Sequence, residues 1–417
     1  MSKDTLRALV VCMLFAVYVL SGGLSVPSQD FNAVWMAGKS FSAGQFDQIY
    51  PVTDGVFALQ SPPEWNAQLA ADGAVGPIYP FIYPPLWAWA AQALPATTTL
   101  QTAVAIVFVL NTAALIAMAW LAWRMTGRNI PLSLYLAVAC FIFAFTNAGR
   151  IALGNNQPQI ILSLILVASL NRMMAGRAVS AGGLMALAAS LKGVPVLYAL
   201  LWGAQGKWRP LAVFAITGAC LAALSISVAG WPLHDAFLGL LRDIRGTFLV
   251  LPYNLSLDAV IGDVFFSSPS MIQDQAYVGQ DPIALRIATA KPDSAILISS
   301  VLLLVMLMVS ALLLRRNPND PLVWPLILIL ISFVSPLAWS YHYLTSMAFL
   351  PALLGRLGHK AGGLWIAVLT IPTFPIFYTT AIQTDAWTTP YHVLTTALIP
   401  LMALAFALAI RRGPPPS

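Results

Sequence analysis

The chain has 417 residues, 59% of them hydrophobic and only 9% charged, with a formal net charge of +6 at pH 7 and a mean hydropathy of +0.80. That apolar content far exceeds what one soluble core requires, so the chain reads as an integral membrane protein. Its three cysteines, Cys12, Cys140 and Cys220, each lie inside an apolar run, which argues against a disulfide framework or a thiolate metal site.

In chain order, residues 5–24 form an apolar run beside Lys3 and Arg7. Its small-residue stretch Ser21-Gly22-Gly23 makes a poor cleavage site, so a retained anchor is expected. Residues 27–98 are the first long loop, where Pro62-Pro63, Pro77, Pro80 and Pro84-Pro85 forbid one continuous helix and predict short surface helices. Within it, Tyr83 to Trp89 reads as an interfacial segment, because tryptophan and tyrosine prefer the headgroup level. Apolar runs of spanning length follow at about 99–125, 131–148 and 156–172. The shorter runs 178–190 and 193–205 form a hairpin around Lys192-Gly193. Residues 209–229 lead into a second long loop, 230–293. Runs at 294–314, 321–339, 343–355, 362–380 and 392–410 bring the count to about twelve transmembrane segments. No linker or solenoid repeat divides them, so residues 1–417 are expected to form a single all-α polytopic membrane domain.

Charge sets the orientation. With the amino terminus inside, 14 of the 21 basic residues fall at the inner ends of these runs and 13 of the 15 acids on the outer side. This is the asymmetry of cytoplasmic loops, and it assigns the net charge to topology rather than to a nucleic-acid surface. Both termini are expected in the cytoplasm of a multi-pass plasma-membrane protein, with loops 27–98 and 230–293 outside.

Candidate chemistry gathers on that outer face. Asp30, directly after the first apolar run, is a half-desolvated carboxylate placed to meet both a lipid-borne ligand and water, and is taken as the catalytic base; a helix cap is the bland alternative. Asp235, Asp258 and Asp263 are rival acids that read as solvated or turn residues. Lys192, at the hairpin tip, offers a point charge to a phosphate or snorkels to the headgroups. Arg150 is a second cation, and Asn155 and Gln157 offer hydrogen bonds. His342, within Trp339-Ser340-Tyr341-His342-Tyr343, joins Asp30 as a catalytic candidate able to contact phosphate or sugar, or else belongs to an aromatic belt. Tyr83, Trp339 and Tyr343 are lining candidates, with Asn254 beside them.

The ordered set Asp30-Phe31, Trp35 with Ala37-Gly38, Gly44 with Tyr50, Tyr83-Pro84-Pro85, Gly154-Asn155-Asn156-Gln157, Lys192-Gly193-Val194-Pro195, Asn254-Leu255-Ser256 and Ser335 through Tyr343 spans nearly the whole chain. It resembles the polyprenol-phosphate-sugar-dependent glycosyltransferases of the family 87 type, which include phosphatidylinositol-mannoside mannosyltransferases and arabinofuranosyltransferases. The resemblance implies a GT-C-like bundle. It also implies inverting transfer of one sugar, mannose or another hexose or pentose, from a polyprenyl-phosphate donor to an extracytoplasmic lipid or glycan acceptor. Alternatives from other classes are a lipid-linked glycan ligase or polymerase, and a lipid flippase or transporter, whose ionisable residues would sit near the bilayer midplane. No glycine-rich phosphate loop and no zinc-type His and carboxylate spacing occurs, so no cofactor is expected beyond the donor, a nucleic-acid partner is not expected, and divalent-metal dependence stays open.

Overall fold

A computed structural model describes residues 2–23, 27–50, 55–266, 271–286, 288–383 and 388–413; parts of both long loops, at 51–54, 267–270 and 287, lie outside it. The chain is predominantly helical, as expected for an all-α polytopic membrane protein. The count of twelve spans does not hold. Among the described residues six helices are long and apolar enough to cross a membrane: Lys3–Gly23, Leu100–Met125, Trp208–Arg245, Asp293–Arg316, His359–Thr380 and Thr389–Arg412. A seventh span results if Leu132–Phe145 and Asn147–Gly154, bent by 68° at their junction, are taken together.

The reason for the overcount is physical. Apolar runs of 10–14 residues suit a buried core helix as well as a span. Val323–Phe333 has 11 residues, of which only Leu330 and Phe333 are not buried, so its hydrophobicity serves the protein interior. In Asp293–Arg316, by contrast, only Ser310 and Leu314 are buried, and Leu297, Val301, Leu304, Met308 and Leu312 are exposed as a lipid-facing stripe. Gln159–Met174, Ala178–Leu191 and Pro195–Ala204 are likewise too short, the first following Pro158 and the last starting at Pro195. The expected segment 343–355 is a buried chain of short helical turns, Leu344–Met347 and Ala352–Leu357, interrupted before Pro351.

One end of the bundle is closed by charged side chains. The Asp4 carboxylate accepts from the Leu132 and Ser133 N–H groups at 2.9 and 3.2 Å. Arg356 grips Asp320 through both terminal nitrogens at 3.0 and 2.9 Å, and Arg315 and Arg412 donate to the Ala204 and Leu357 carbonyls.

The opposite end carries the two long loops. The 38-residue helix Trp208–Arg245 kinks at Gly230, whose φ of 72° is open to glycine, with Pro232 next but one, and this break begins the second loop. The loops hold features that hydrophobic periodicity did not predict. Strands Ile272–Tyr277 and Gln280–Arg286 pair antiparallel, as do Thr247–Leu249 and Ala288–Ala290. The first hairpin takes up the first loop: Ile78 N–H donates to the Ala276 carbonyl and Val278 N–H to the Gly76 carbonyl, both at 3.0 Å. Part of the first loop is interior rather than surface. Its helix Gln29–Ser42 buries Phe31, Trp35, Met36 and Phe41, and Tyr83 is buried instead of anchored at an interface.

Candidate functional site

The Asp30 helix is anchored at its first turn by the Gly154 to Gln157 turn. Ser28, in left-handed backbone with φ 55°, donates its N–H to the Gly154 carbonyl at 3.0 Å, and Phe31 N–H donates to the Asn155 carbonyl at 3.3 Å. Asn156, fully buried with φ 48°, donates through Nδ2 to Ser28 Oγ (3.1 Å) and the Val104 carbonyl (3.0 Å), and its Oδ1 accepts from Asn111 (3.1 Å). Asparagine tolerates that backbone and is the residue whose side chain can meet all three partners. The arrangement leaves Asn155 Nδ2 donating to Asp30 Oδ2 at 2.9 Å. Asp30 stands in the first turn of its helix, where the aligned peptide dipoles favour a carboxylate.

Lys192 follows helix Ala178–Leu191 in extended backbone, and its Nζ lies 2.5 Å from His342 Nε2 and 3.4 Å from Gln159 Oε1. A hydrogen bond to the Leu337 backbone accounts for the other ring nitrogen, so Nε2 is free to accept from the ammonium. Asp30, Lys192 and His342 are half-buried, each ringed by protein yet open to a cavity. Burial pushes the Asp30 carboxyl up to about 6, opposed by the Asn155 hydrogen bond, the Lys192 charge and a Gln157 hydrogen bond. Burial lowers Lys192 to about 8, with the Asp30 charge acting the other way. Burial, and then the Lys192 ammonium, hold His342 well below its usual range. Near neutral pH the site therefore contains a carboxylate, an ammonium and a neutral imidazole.

Two adjoining cavities share this machinery. Asp30 and Asn155 open onto a narrow cleft walled by Leu59, Tyr79, Tyr253, Trp339 and Tyr341. Lys192 and His342 line a second small cavity with Gln159, Ser332, Ser335 and Thr345. The phenols of Tyr79, Tyr253 and Tyr341 are pushed up by burial, with the Asp30 charge adding to the shift, so they are neutral hydroxyl donors.

The remaining sequence candidates divide. Tyr83 donates to Gln157 Oε1 at 2.7 Å, and Gln157 in turn hydrogen-bonds Asp30, so both join the site. Trp339 walls the Asp30 cleft, its ring stacked on Tyr253 with centroids 5.2 Å apart. Tyr343 turns away and donates to the Leu255 carbonyl at 2.9 Å. Asn254 is a splice: Nδ2 donates to the Leu249 carbonyl and Oδ1 accepts from Ala338 N–H, holding the second loop against residues 338–340. Arg150 is exposed and lines a separate groove with Tyr18, Gly22 and Gly154. Asp258 and Asp263 are not solvated turn residues: Asp258 is buried against Lys291 and Ser299, and Asp263 against His392 at 3.0 Å. Among the described residues no three His, Cys, Asp or Glu side chains cluster as a metal site.

Sequence reasoning passed over Tyr79, Tyr253 and Gln159. Tyr253 directly precedes the quoted Asn254, and Tyr79 precedes Pro80, but neither position announces the cleft. A family model described as Glycosyltransferase family 87 matches residues 81–338, more than half of the chain. No curated protein matches it.

Proposed function

The chain belongs to glycosyltransferase family 87 and is a membrane glycosyltransferase, and on that premise we propose that it moves one sugar from a polyprenyl-phosphate donor to an extracytoplasmic hydroxyl with inversion, using Asp30 as general base. The observation that carries this reading is a half-buried carboxylate and a half-buried ammonium opening onto two cavities that meet along residues 339–342, where Trp339 and Tyr341 line the one and His342 the other. The acceptor oxygen attacks the anomeric carbon while its proton passes to Asp30. The bond from that carbon to the phosphate oxygen breaks, and the phosphate leaves with the electron pair and without a proton. Lys192 then faces the charge that grows on the departing phosphate, a charge-assisted contact worth most in a water-poor site. One carboxylate suffices, unlike glycoside hydrolysis, where a leaving alcohol has to be protonated.

A lipid-linked donor is supported by an apolar groove of about 460 Å³ between helices Ala178–Leu191 and Trp208–Arg245, lined by Leu86, Ala189, Phe214 and Leu221. It reaches Pro84 and Ser190, next to Tyr83 and two residues from Lys192, so a chain lying in it would deliver its phosphate to the ammonium. His342 serves as the acceptor that aims that ammonium. The segregation of basic and acidic residues supports cytoplasmic termini and an outward-facing site. Membranes containing the protein, incubated with a panel of radiolabelled polyprenyl-phosphate mannose, other hexoses and pentoses, should transfer a single sugar from one of them. Transfer from none, or equal transfer by Asp30→Asn, would remove the reading.

A further inference from the structure

The spanning helix Thr389–Arg412 carries in its first turn a histidine that the transfer chemistry does not use. His392 is 1% exposed and both its ring nitrogens are engaged: Nδ1 lies 3.0 Å from Asp263 Oδ2, and Nε2 lies 2.9 Å from the Asn254 carbonyl oxygen. A carbonyl oxygen only accepts, so Nε2 carries a hydrogen, and the Asp263 carboxyl group on the other nitrogen fixes the orientation of the ring. Asp263 sits on helix Leu257–Phe265 and is itself held by Thr389, whose hydroxyl donates to Oδ1 at 3.1 Å. His392 thereby ties both ends of residues 254–263 to the last span.

Asn254 is where that tie reaches the site. Its side chain joins the Leu249 carbonyl to Ala338 N–H at 2.8 and 2.9 Å. Backbone bonds from Leu255 N–H to the Ala338 carbonyl (2.8 Å) and from Ser340 N–H to the Tyr253 carbonyl (2.7 Å) run along the same seam. The carbonyl that His392 holds is one residue on from Tyr253, whose ring walls the Asp30 cleft and stacks on Trp339. A histidine and a carboxyl group are costly to bury, and apolar packing would hold a loop against a span at less expense. What apolar packing lacks is direction, which a hydrogen bond to one carbonyl supplies. Resting on the glycosyl-transfer reading above, we propose that His392 is a positioning residue for the transfer step: aimed by Asp263, it fixes the Asn254 carbonyl and so sets the Tyr253 ring in the Asp30 cleft.

The test exploits the two ring nitrogens separately. The amide nitrogen of glutamine falls near the place of Nε2 and that of asparagine near the place of Nδ1, so His392→Gln keeps the donor to Asn254 and His392→Asn keeps only the contact with Asp263. The full chain in lipid nanodiscs is assayed with the labelled polyprenyl-phosphate sugar that wild-type membranes accept. His392→Asn should lower kcat about tenfold or more, the scale on which a small misplacement acts, and leave the donor KM unchanged because the Lys192 cavity is untouched. His392→Gln should keep most of the kcat. His392→Asn combined with Tyr253→Ala should lose no more than Tyr253→Ala alone, since the histidine acts through that ring. Independently of activity, hydrogen exchange over residues 250–256 should quicken in His392→Asn and not in His392→Gln. Additive losses, a His392→Gln as impaired as His392→Asn, or equal kcat in all three proteins would overturn the proposal. If His392→Asn does not fold, His392→Gln decides alone: loss of its kcat or of its slow exchange defeats the positioning role. Failure of wild type to consume any donor falls on the glycosyl-transfer reading instead, which the exchange measurement does not share.

Discussion

Lys192 Nζ and His342 Nε2 are 2.5 Å apart, 150 residues from one another in the chain. The contact couples the tip of a short helical pair to the aromatic segment that walls the Asp30 cleft. A neutral imidazole accepting from an ammonium stabilises the charged form of the lysine. His342→Phe should therefore lower the Lys192 pKa further and move the alkaline limb of kcat/KM to lower pH. His342→Gln, whose amide oxygen also accepts, should restore much of it. Profiles that superimpose for all three proteins would show that the histidine has no bearing on the lysine.

The two shifted groups predict a bell-shaped profile. Asp30, raised to about 6, has to be deprotonated to act as a base, so activity is lost as pH falls through that value. Lys192, lowered to about 8, has to be protonated to hold the phosphate, so activity is lost as pH rises through that value. Lys192→Arg keeps a cation at all accessible pH, and its alkaline limb should disappear from a scan between about pH 5 and 10.

Asp30→Asn separates catalysis from structure. An asparagine side-chain oxygen can still accept from Asn155, so expression, thermal stability and donor binding should be close to wild type. Loss of the proton acceptor should cost about 10²–10⁴ in kcat, the usual range for a positioned general base. Native mass spectrometry of the donor complex beside single-turnover transfer would distinguish this from a folding defect, which would lower both.

Asp30, Asn155, Gln157 and Lys192 were legible because polar residues interrupting long apolar runs are few, and each such interruption is a candidate. Helicity and the two long loops were legible for the same reason. The span count was not, because an apolar run reports dehydration without saying whether lipid or protein does the dehydrating: Val323–Phe333 and Asp293–Arg316 look alike in sequence and differ in burial along almost their whole length. Nor could sequence separate Asn254 from Tyr253. The first is spent on backbone groups of its own loop and of Ala338, while its neighbour faces the cleft, and only the loop geometry decides which.

The Asn156 clamp should be more costly to remove than its distance from the chemistry suggests. Asn156→Leu removes the side-chain hydrogen bonds to Ser28 Oγ, the Val104 carbonyl and the Asn111 amide, and puts a branched side chain into left-handed backbone. Each buried hydrogen bond contributes about 1 kcal/mol net, so losing three should cost about 3 kcal/mol, seen as a lowered Tm in detergent and faster proteolysis near residues 27–30. Unaltered Tm would mean that the Ser28 turn does not depend on this side chain.

The bend before the Gly154 turn supplies the last test. Helices Leu132–Phe145 and Asn147–Gly154 meet at 68°, and a Cβ on Gly149 would sit 1.9 Å from the Phe143 carbonyl oxygen. Backbone cannot yield to that contact as a flexible side chain would, so Gly149→Ala has to open the bend. The shift would be carried through nearly two helical turns to Asn155, whose amide holds Asp30. Overpacking of this kind costs about 1–3 kcal/mol, against a helix-propensity gain of about 1 kcal/mol for replacing glycine by alanine. Gly183→Ala, in open space on helix Ala178–Leu191, carries the gain without the clash and is the control. Gly149→Ala should lower both Tm and kcat while Gly183→Ala leaves kcat unchanged; equal behaviour of the two would mean that the bend does not set the position of Asp30.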